Sequence, residues 1–225
     1  MKAVVIFSGG QDSTICLHWA LQRHETVHAI TFTYGQRHNI ELGCAVEICN
    51  KINIHHEIID IPFMRQLSQS ALLHDGDISE KNEKDLPASF VPNRNQLFIT
   101  LAHAYAQKVK AQFLVTGVCQ TDYSGYPDCR EQFIDAIEHA TNLGSDERIK
   151  IETPLMHLSK AQTFKMAEEL GVLTEVITDS HTCYEGDRTN LHDWGYGCGK
   201  CPACELRRKG FEEYIKDLAN KDLPI

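Results

Sequence analysis

The stretch that decides the fold is KAVVIFSGGQDSTICLHWALQ, Lys2 to Gln22. It opens on an unbroken apolar run, the pattern of a parallel strand buried on both faces. It continues as DSTICLHWALQRH, with the apolar spacing of a helix. Between them stand Ser8, Gly9, Gly10, Gln11, Asp12 and Ser13. A strand running into a helix N-terminus is where parallel sheets bind anions, because the first helical N–H groups have no intrahelical acceptor. Gly9 and Gly10 allow a sharp turn and a close approach by a ligand. Ser8 and Ser13 add hydroxyls, and Asp12 offers either a cap or a ligand for Mg²⁺ beside a polyphosphate. The hexapeptide lacks the Gly-Lys-Ser/Thr ending of a Walker A loop and the spacing of a dinucleotide fingerprint. The missing lysine suggests a site that grips pyrophosphate as a leaving unit. Glycines packed tightly at a strand–helix turn are the plainer alternative.

Working outward, the same alternation repeats. VHAITFTYG reads as a second strand, HNIELGCAVEICNKI as a helix, and IHHEIIDI, stopped by Pro62, as a third strand. NRNQLFITLAHAYAQKV is a helix, AQFLVTGVC a fourth strand, REQFIDAIEHATNLG a helix, IKIETPL a fifth strand, and SKAQTFKMAEELG a helix closed by Gly171. Strand–helix repetition at this pitch predicts βαβ units and a parallel sheet. Residues 74–90 are polar and unpatterned, either an active-site lid or an insertion without function. From Ser180 the composition shifts to Cys, Gly, Tyr and charge, ending in the helix ACELRRKGFEEYIKDLA. The expected organisation is an α/β domain over residues 1–179 with a small region, 180–225, packed on the same unit.

The 225 residues are 42% hydrophobic and 24% charged, with a net charge of −9. That balance argues against sequence-blind binding to nucleic acid, which depends on basic surface. The apolar run Ala3 to Phe7 is far shorter than the roughly 20 residues of a membrane span, so a cytoplasmic protein with no membrane partner is expected. Nine cysteines in a reducing compartment call for something other than disulfides. Cys16, Cys44, Cys49, Cys119 and Cys129 are scattered and read as small core residues. Cys183, Cys198, Cys201 and Cys204 form C-x14-C-x2-C-x2-C, the donor set of a structural zinc with all four positions filled by protein. A redox C-x2-C pair and an iron–sulfur cluster are the rivals, and His181 and His192 are alternative ligands. The basic run ELRRKG after Cys204 is the only local support for a nucleic-acid reader, and it reads instead as a solvated or a salt-bridged helix face.

SGGQDS resembles the S-G-G-x-D-S signature of the PP-loop ATP pyrophosphatases. These are Rossmann-like α/β enzymes of the adenine nucleotide alpha hydrolase type, which split ATP between its α and β phosphates. TYGQRH (Thr33 to His38), FVPNRN (Phe90 to Asn95), TGVCQTDYSGYPDCR (Thr116 to Arg130), ETPL with Lys160 after it, and CGKCPACELR resemble the 7-cyano-7-deazaguanine synthase family within that group. The resemblance runs over nearly the whole chain. Two departures stand out: Asn93 where relatives often carry glycine, and a longer spacer between Cys183 and Cys198.

The resemblance implies an ATP-dependent ligase that converts 7-carboxy-7-deazaguanine and ammonia into the 7-cyano base, in queuosine biosynthesis, through adenylated intermediates. It implies that Phe7, Ser8, Gly9, Gly10, Gln11, Asp12, Ser13, Thr14 and Gly117 hold ATP and its Mg²⁺. Asp12, Lys160 and Arg94 would carry the chemistry. Arg94, Asp122, Tyr123, Tyr126, Asp128 and Arg130 would meet the substrate, with one structural zinc per chain on the four cysteines. It also implies a homodimer. His38 is a candidate base for ammonium, with a solvated loop histidine as the alternative. Two other readings compete: tRNA thiolation through Cys119, and a zinc-built interaction module on a degenerate nucleotide fold.

Overall fold

The computed structural model describes residues 1–36, 39–74, 80–81, 86–121 and 125–221. Five parallel strands form one sheet in the order β3-β2-β1-β4-β5: β1 (Lys2–Ile6), β2 (Thr26–Thr33), β3 (His55–Asp60), β4 (Phe113–Val115) and β5 (Lys150–Glu152). The strands β1 to β5 are those expected from the sequence, with β4 and β5 shorter than their apolar runs.

The period-two geometry of a strand sends alternate side chains to opposite faces, and each face is buried. Ala3, Val5 and Phe7, with Val27, Ala29 and Val115, pack under α1 (Gln11–Leu21), α2 (Ile40–Lys51) and α6 (Lys160–Glu169). Val4, Ile30, Phe32, Leu114 and Ile151 pack under α4 (Arg94–Val109) and α5 (Glu131–Ser145). Both layers are therefore accounted for by one residue alternation in the strands and the 3.6-residue period in the helices.

Two short helices were not anticipated, α3 (Met64–Leu67) and α7 (Leu173–Thr178), nor was a two-stranded antiparallel hairpin of β6 (Leu191–His192) and β7 (Gly195–Tyr196). The hairpin lies within the long spacer between Cys183 and Cys198. The last helix, α8 (Pro202–Lys221), lies along α6, where the Phe164 and Phe211 rings meet at 5.2 Å. Among the described residues, no helix is long and apolar enough to cross a membrane.

The strand order reverses between β1, which leads to β2, and β4, which lies on its other side. Ligands of open α/β sheets bind at the carboxyl ends of the strands at such a switch point. The loop from Ser8 to Gly10 and the residues after β4 open onto that point.

Candidate active site

The glycine turn holds its shape through its own polar groups. Ser13 Oγ accepts from Ser8 N at 3.2 Å and donates to the Gly10 carbonyl at 3.1 Å, while Gly10 N donates to Ser8 Oγ at 3.1 Å. Gly10 is the N-cap of α1 and has no side-chain cap, so the first-turn N–H groups are left for a ligand. Gly9 sits at φ +84°, and a Cβ there would lie 2.3 Å from the Glu41 carbonyl oxygen. That turn is pressed against α2, and only glycine meets both demands. A Cβ on Gly117, just beyond β4, would lie 3.2 Å from Ser13 N. The fourth strand thus ends directly against the first turn of α1.

The turn forms one wall of a cavity of about 330 Å³. Phe7, Ser8, Gly10, Gln11, Asp12, Ser13, Gly117, Lys160, Arg94 and Tyr126, all expected from the sequence, line it. Asp12 does not cap α1. Its carboxylate accepts two hydrogen bonds from Lys160 Nζ, at 2.8 and 3.0 Å. Lys160 is the first residue of α6, whose start is set by a Ser159–Gln162 capping box. Two helix N-termini therefore converge on one charged pair. Thr14 turns inward instead: fully buried, it donates to the Gly10 carbonyl at 2.8 Å and supports the loop from behind. Gln11 is also buried, its amide reaching Thr163 Oγ1 at 3.3 Å.

Opposite the glycine turn, Arg94 opens α4 and donates to Tyr34 Oη at 3.3 Å. Burial disfavours its charge, but Tyr34, Tyr126, Tyr184 and Asp128 hold its pKa above the ordinary value. The preceding Asn93 adopts φ +59°. This accounts for the departure noted in the sequence: asparagine is among the few residues besides glycine that enter the left-handed region at low cost. Phe32, Tyr34, Phe98 and Tyr126 give this end of the cavity aromatic walls, with Phe32 and Phe98 stacked at 4.7 Å.

Asp128 is buried. One carboxylate oxygen accepts from Asn95 N at 3.1 Å, holding the start of α4, and the other has no partner among the described residues. Arg130 stands at the N-cap position of α5, without a side-chain cap, and lines a neighbouring hollow that shares Cys119 and Tyr126 with the main cavity. Asp122, Tyr123 and His38 lie outside the described residues, as does most of the 74–90 loop. Cys119 lines the cavity with its thiol donating to the Leu158 carbonyl at 3.2 Å.

Of the cavity residues that the sequence did not single out, Tyr184, Glu41 and Arg207 bear most on its chemistry. Tyr184 follows the first cysteine of the cluster and borders the cavity. Glu41, in the first turn of α2, is half-buried, and its Oε1 stands 4.0 Å from where Gly10 would carry a Cβ. Burial pushes its carboxyl up to about 7, with Arg94 opposing and Cys183 adding to the rise. Arg207 is the third, and it corrects the expectation of a solvated basic face: it is 1% exposed and lines the cavity. Its position three residues after Cys204, one helical turn, was the available signal.

The four cysteines come together. Their Sγ atoms all lie within 4.8 Å of one another. Four thiolates at about 2.3 Å from a tetrahedral ion would be about 3.8 Å apart, so the donor set fits a metal ion held entirely by protein. Gly197 is placed where a Cβ would approach Cys204 Sγ to 2.5 Å. Backbone N–H groups of Cys198 and Cys201 donate to Cys183 and Cys198 Sγ at 3.4 and 3.3 Å. His192 is not a member; its Nε2 pairs with the Gly197 carbonyl at 3.0 Å and its ring stacks on Trp194.

Residues 2–215 match the family described as Queuosine biosynthesis protein QueC. The chain is 54% identical over 215 residues to 7-cyano-7-deazaguanine synthase of Helicobacter pylori strain P12, covering 94% of each chain. It is 53% identical to that of Wolinella succinogenes, covering 96% of this chain and 94% of the relative. To that of Alkalilimnicola ehrlichii it is 48% identical, covering 94% of each. The fold is similar to a 4-thiouridine synthetase solved with RNA and bound ATP, with a TM-score of 0.52, 17% identity, and coverage of 97% of this chain and 51% of that one. It is also similar to NMN synthetase of Francisella tularensis, with a TM-score of 0.50, 16% identity, and coverage of 99% and 87%. With nearly its whole length spanned at this identity, the chain belongs to the queuosine-biosynthesis QueC family, the 7-cyano-7-deazaguanine synthases, enzymes of the ligase type.

Proposed function

We propose that the chain converts 7-carboxy-7-deazaguanine and ammonia to 7-cyano-7-deazaguanine at the expense of ATP, splitting it between the α and β phosphates. The observation that carries this reading is the meeting, in one cavity, of an uncapped glycine turn, the Asp12–Lys160 pair and Arg94. Carboxylate and amide oxygens are poor leaving groups, and adenylation converts each into one that departs as AMP. In the first stage the carboxylate oxygen attacks the α-phosphorus and pyrophosphate leaves; ammonia then displaces AMP, giving the amide. In the second stage the amide oxygen attacks the α-phosphorus of a second ATP and pyrophosphate leaves; loss of AMP, with both amide N–H protons shed over the stage, leaves the nitrile.

Ser8, Gly9, Gly10, Gln11, Ser13 and Gly117 would cradle the phosphates, and Phe7 and Thr14 would set the turn's shape. Mg²⁺, which would neutralise phosphate charge when bound, would be held by Asp12. Lys160 would then be released to the departing pyrophosphate. Arg94 would pair with the substrate carboxylate, for which a guanidinium fork is suited. Tyr126 and the aromatic walls would take the flat base, with Asp128, Arg130, Asp122 and Tyr123 at its polar edges. Zinc is the metal that best suits four thiolates in a closed site, and we assign it a structural role. Residues 1–179 form the nucleotide-binding unit in this reading and 180–225 the metal-bearing one. We further infer a cytoplasmic enzyme that acts as a homodimer and binds no nucleic acid.

Incubation with the 7-carboxy base, ammonium and Mg-ATP tests this, with mass spectrometry following the base and chromatography the nucleotides. The cyano base with two equivalents of AMP is expected. ADP in place of AMP would overturn the cleavage position, and no conversion of this base would overturn the substrate.

A further inference from the structure

Arg207 is a buried cation without a carboxylate within ion-pair distance among the described residues. Its Nη2 donates to the Val176 carbonyl at 2.6 Å and to Ser180 Oγ at 3.2 Å, and its Nη1 to Thr182 Oγ1 at 3.0 Å. A Cβ on Gly195, at φ +124° in the hairpin, would lie 2.5 Å from Nη2. The guanidinium therefore clasps α7, the segment after it and the hairpin at once. Burial pushes its pKa down to about 10, with Asp12 and Cys204 opposing and Arg188 adding to the fall, so it is charged at neutral pH. Burying a charge without a counter-charge is costly, and an apolar side chain would fill the space at lower cost. The geometry has to explain why an arginine is there.

What it holds is the outer side of the glycine turn. His181 N, between Ser180 and Thr182, donates to the Gly9 carbonyl at 3.0 Å, and the His181 carbonyl oxygen lies 3.4 Å from a Cβ placed on Gly10. Two residues further the chain enters the metal cluster at Cys183. On α8, Cys204, Arg207, Gly210, Phe211 and Tyr214 follow at helical spacing and share one face. Gly210 meets the other charged group of the cavity: a Cβ there would lie 2.5 Å from Lys160 Cγ. Phe211 and Tyr214 continue the contact onto Phe164 of α6. One rigid helix thus begins at the cysteine cluster and bears both on the segment holding Gly9 and on the residue paired with Asp12.

We propose that α8 is a coupling element: Arg207 is a positioning residue that transmits occupancy of the four-cysteine cluster to the nucleotide cradle. The metal then sets the affinity for nucleotide, besides supporting the fold. The inference rests on the reading of the glycine turn as the nucleotide site, not on the identity of the base.

The test uses the full chain loaded with zinc. Affinity for the Mg²⁺ complex of a non-hydrolysable ATP analogue is measured by calorimetry in wild type, Arg207→Met, Arg207→Lys and Gly210→Ala, with metal per chain and thermal midpoint read on the same samples. Arg207→Met is expected to weaken the analogue tenfold or more while keeping one metal per chain, and to raise KM for ATP without raising KM for the base. Lysine, a point donor that does not span the three acceptors, is expected to recover little of the loss. Gly210→Ala is expected to weaken the analogue at least threefold through displacement of Lys160. If Arg207→Met does not fold, Arg207→Lys and the chelated wild type, each with its thermal midpoint, decide the matter. Chelation of the metal from wild type is expected to reproduce the loss of affinity. Affinities within twofold of wild type in the folded variants, or in the chelated protein, would overturn the inference. Wild type that binds the analogue but makes no cyano base would overturn the proposed function and leave this coupling standing.

Discussion

Replacing Gly9 with alanine separates the two demands placed on the glycine turn, backbone conformation and close approach. At φ +84° an L-residue pays for the left-handed conformation, about 1–2 kcal/mol. The new Cβ would also stand 2.3 Å from the Glu41 carbonyl and 2.7 Å from Ala45 N, both helix backbone that a rotamer change does not relieve. Forcing a packed element aside adds about 1–3 kcal/mol, for a total of about 2–5 kcal/mol. With an unfolding entropy near 2.1 cal/mol/K per residue, each kcal/mol lowers the midpoint of a chain this size by about 2 °C. A drop of roughly 4–10 °C follows.

Gly171→Ala is the control, because Gly171 has φ +76° but nothing within 4 Å of a new Cβ. It incurs only the conformational cost, a drop of about 2–4 °C. Scanning calorimetry reads the midpoints and titration calorimetry the affinity for an ATP analogue. Gly9→Ala is expected to weaken the analogue at least tenfold, and Gly171→Ala to leave it unchanged. Equal midpoint losses, or unaltered nucleotide binding in Gly9→Ala, would refute the view that the turn is held against α2 in order to shape the cradle.

Other perturbations have defined outcomes. Lys160→Met removes the 2.8 Å partner of Asp12 and is expected to lower kcat/KM for ATP by about 10²–10³ in steady-state assays, as loss of a preorganised charge does. Glu41 ionises less readily in the fold than in the unfolded chain, near 7 against 4.5. Its proton is therefore bound more tightly by the native state, and stability falls as pH rises from about 4.5 to 7. Glu41→Gln is expected to gain on the order of 1–3 kcal/mol at pH 8 and nothing at pH 4 in urea titrations; no gain at pH 8 would show that the cavity carries no such strain. Burial raises the Cys44 and Cys49 thiols to about 11 and about 12, so iodoacetamide at pH 8 is expected to leave both unmodified in the native protein, as mapped by mass spectrometry. Cys201→Ser is expected to lower zinc per chain well below one by elemental analysis and to reduce the midpoint, because binding energy at such a site is folding energy.

The order of strands and helices was legible along the chain because each element declares itself locally. The unbroken apolar run of β1, helical spacing in α1 and the glycines between them depend on neighbours a few residues apart. The cysteine spacing pointed to a shared metal for the same reason, since three of the four thiols sit within one turn and its approach. Asn93 shows the limit of such reading: the departure was visible, but its meaning required the φ of +59°.

What the chain order could not reveal was which groups meet across it. Asp12 and Lys160 are 148 residues apart, yet form the charged pair of the cavity. Nothing in the local pattern singles out Glu41, and only the packing of α2 on the glycine turn brings its carboxyl beside Gly10. Arg207 looked like one of three solvated cations, because charge patterning along a helix does not say which face the helix buries. Local periodicity and turn chemistry determined the elements, the four-cysteine donor set and the uncapped glycine loop. The pairing of charges, the buried arginine and the contacts that run from the cysteine cluster to the glycine turn were decided by tertiary packing, which alone sets distance and desolvation between residues remote in sequence.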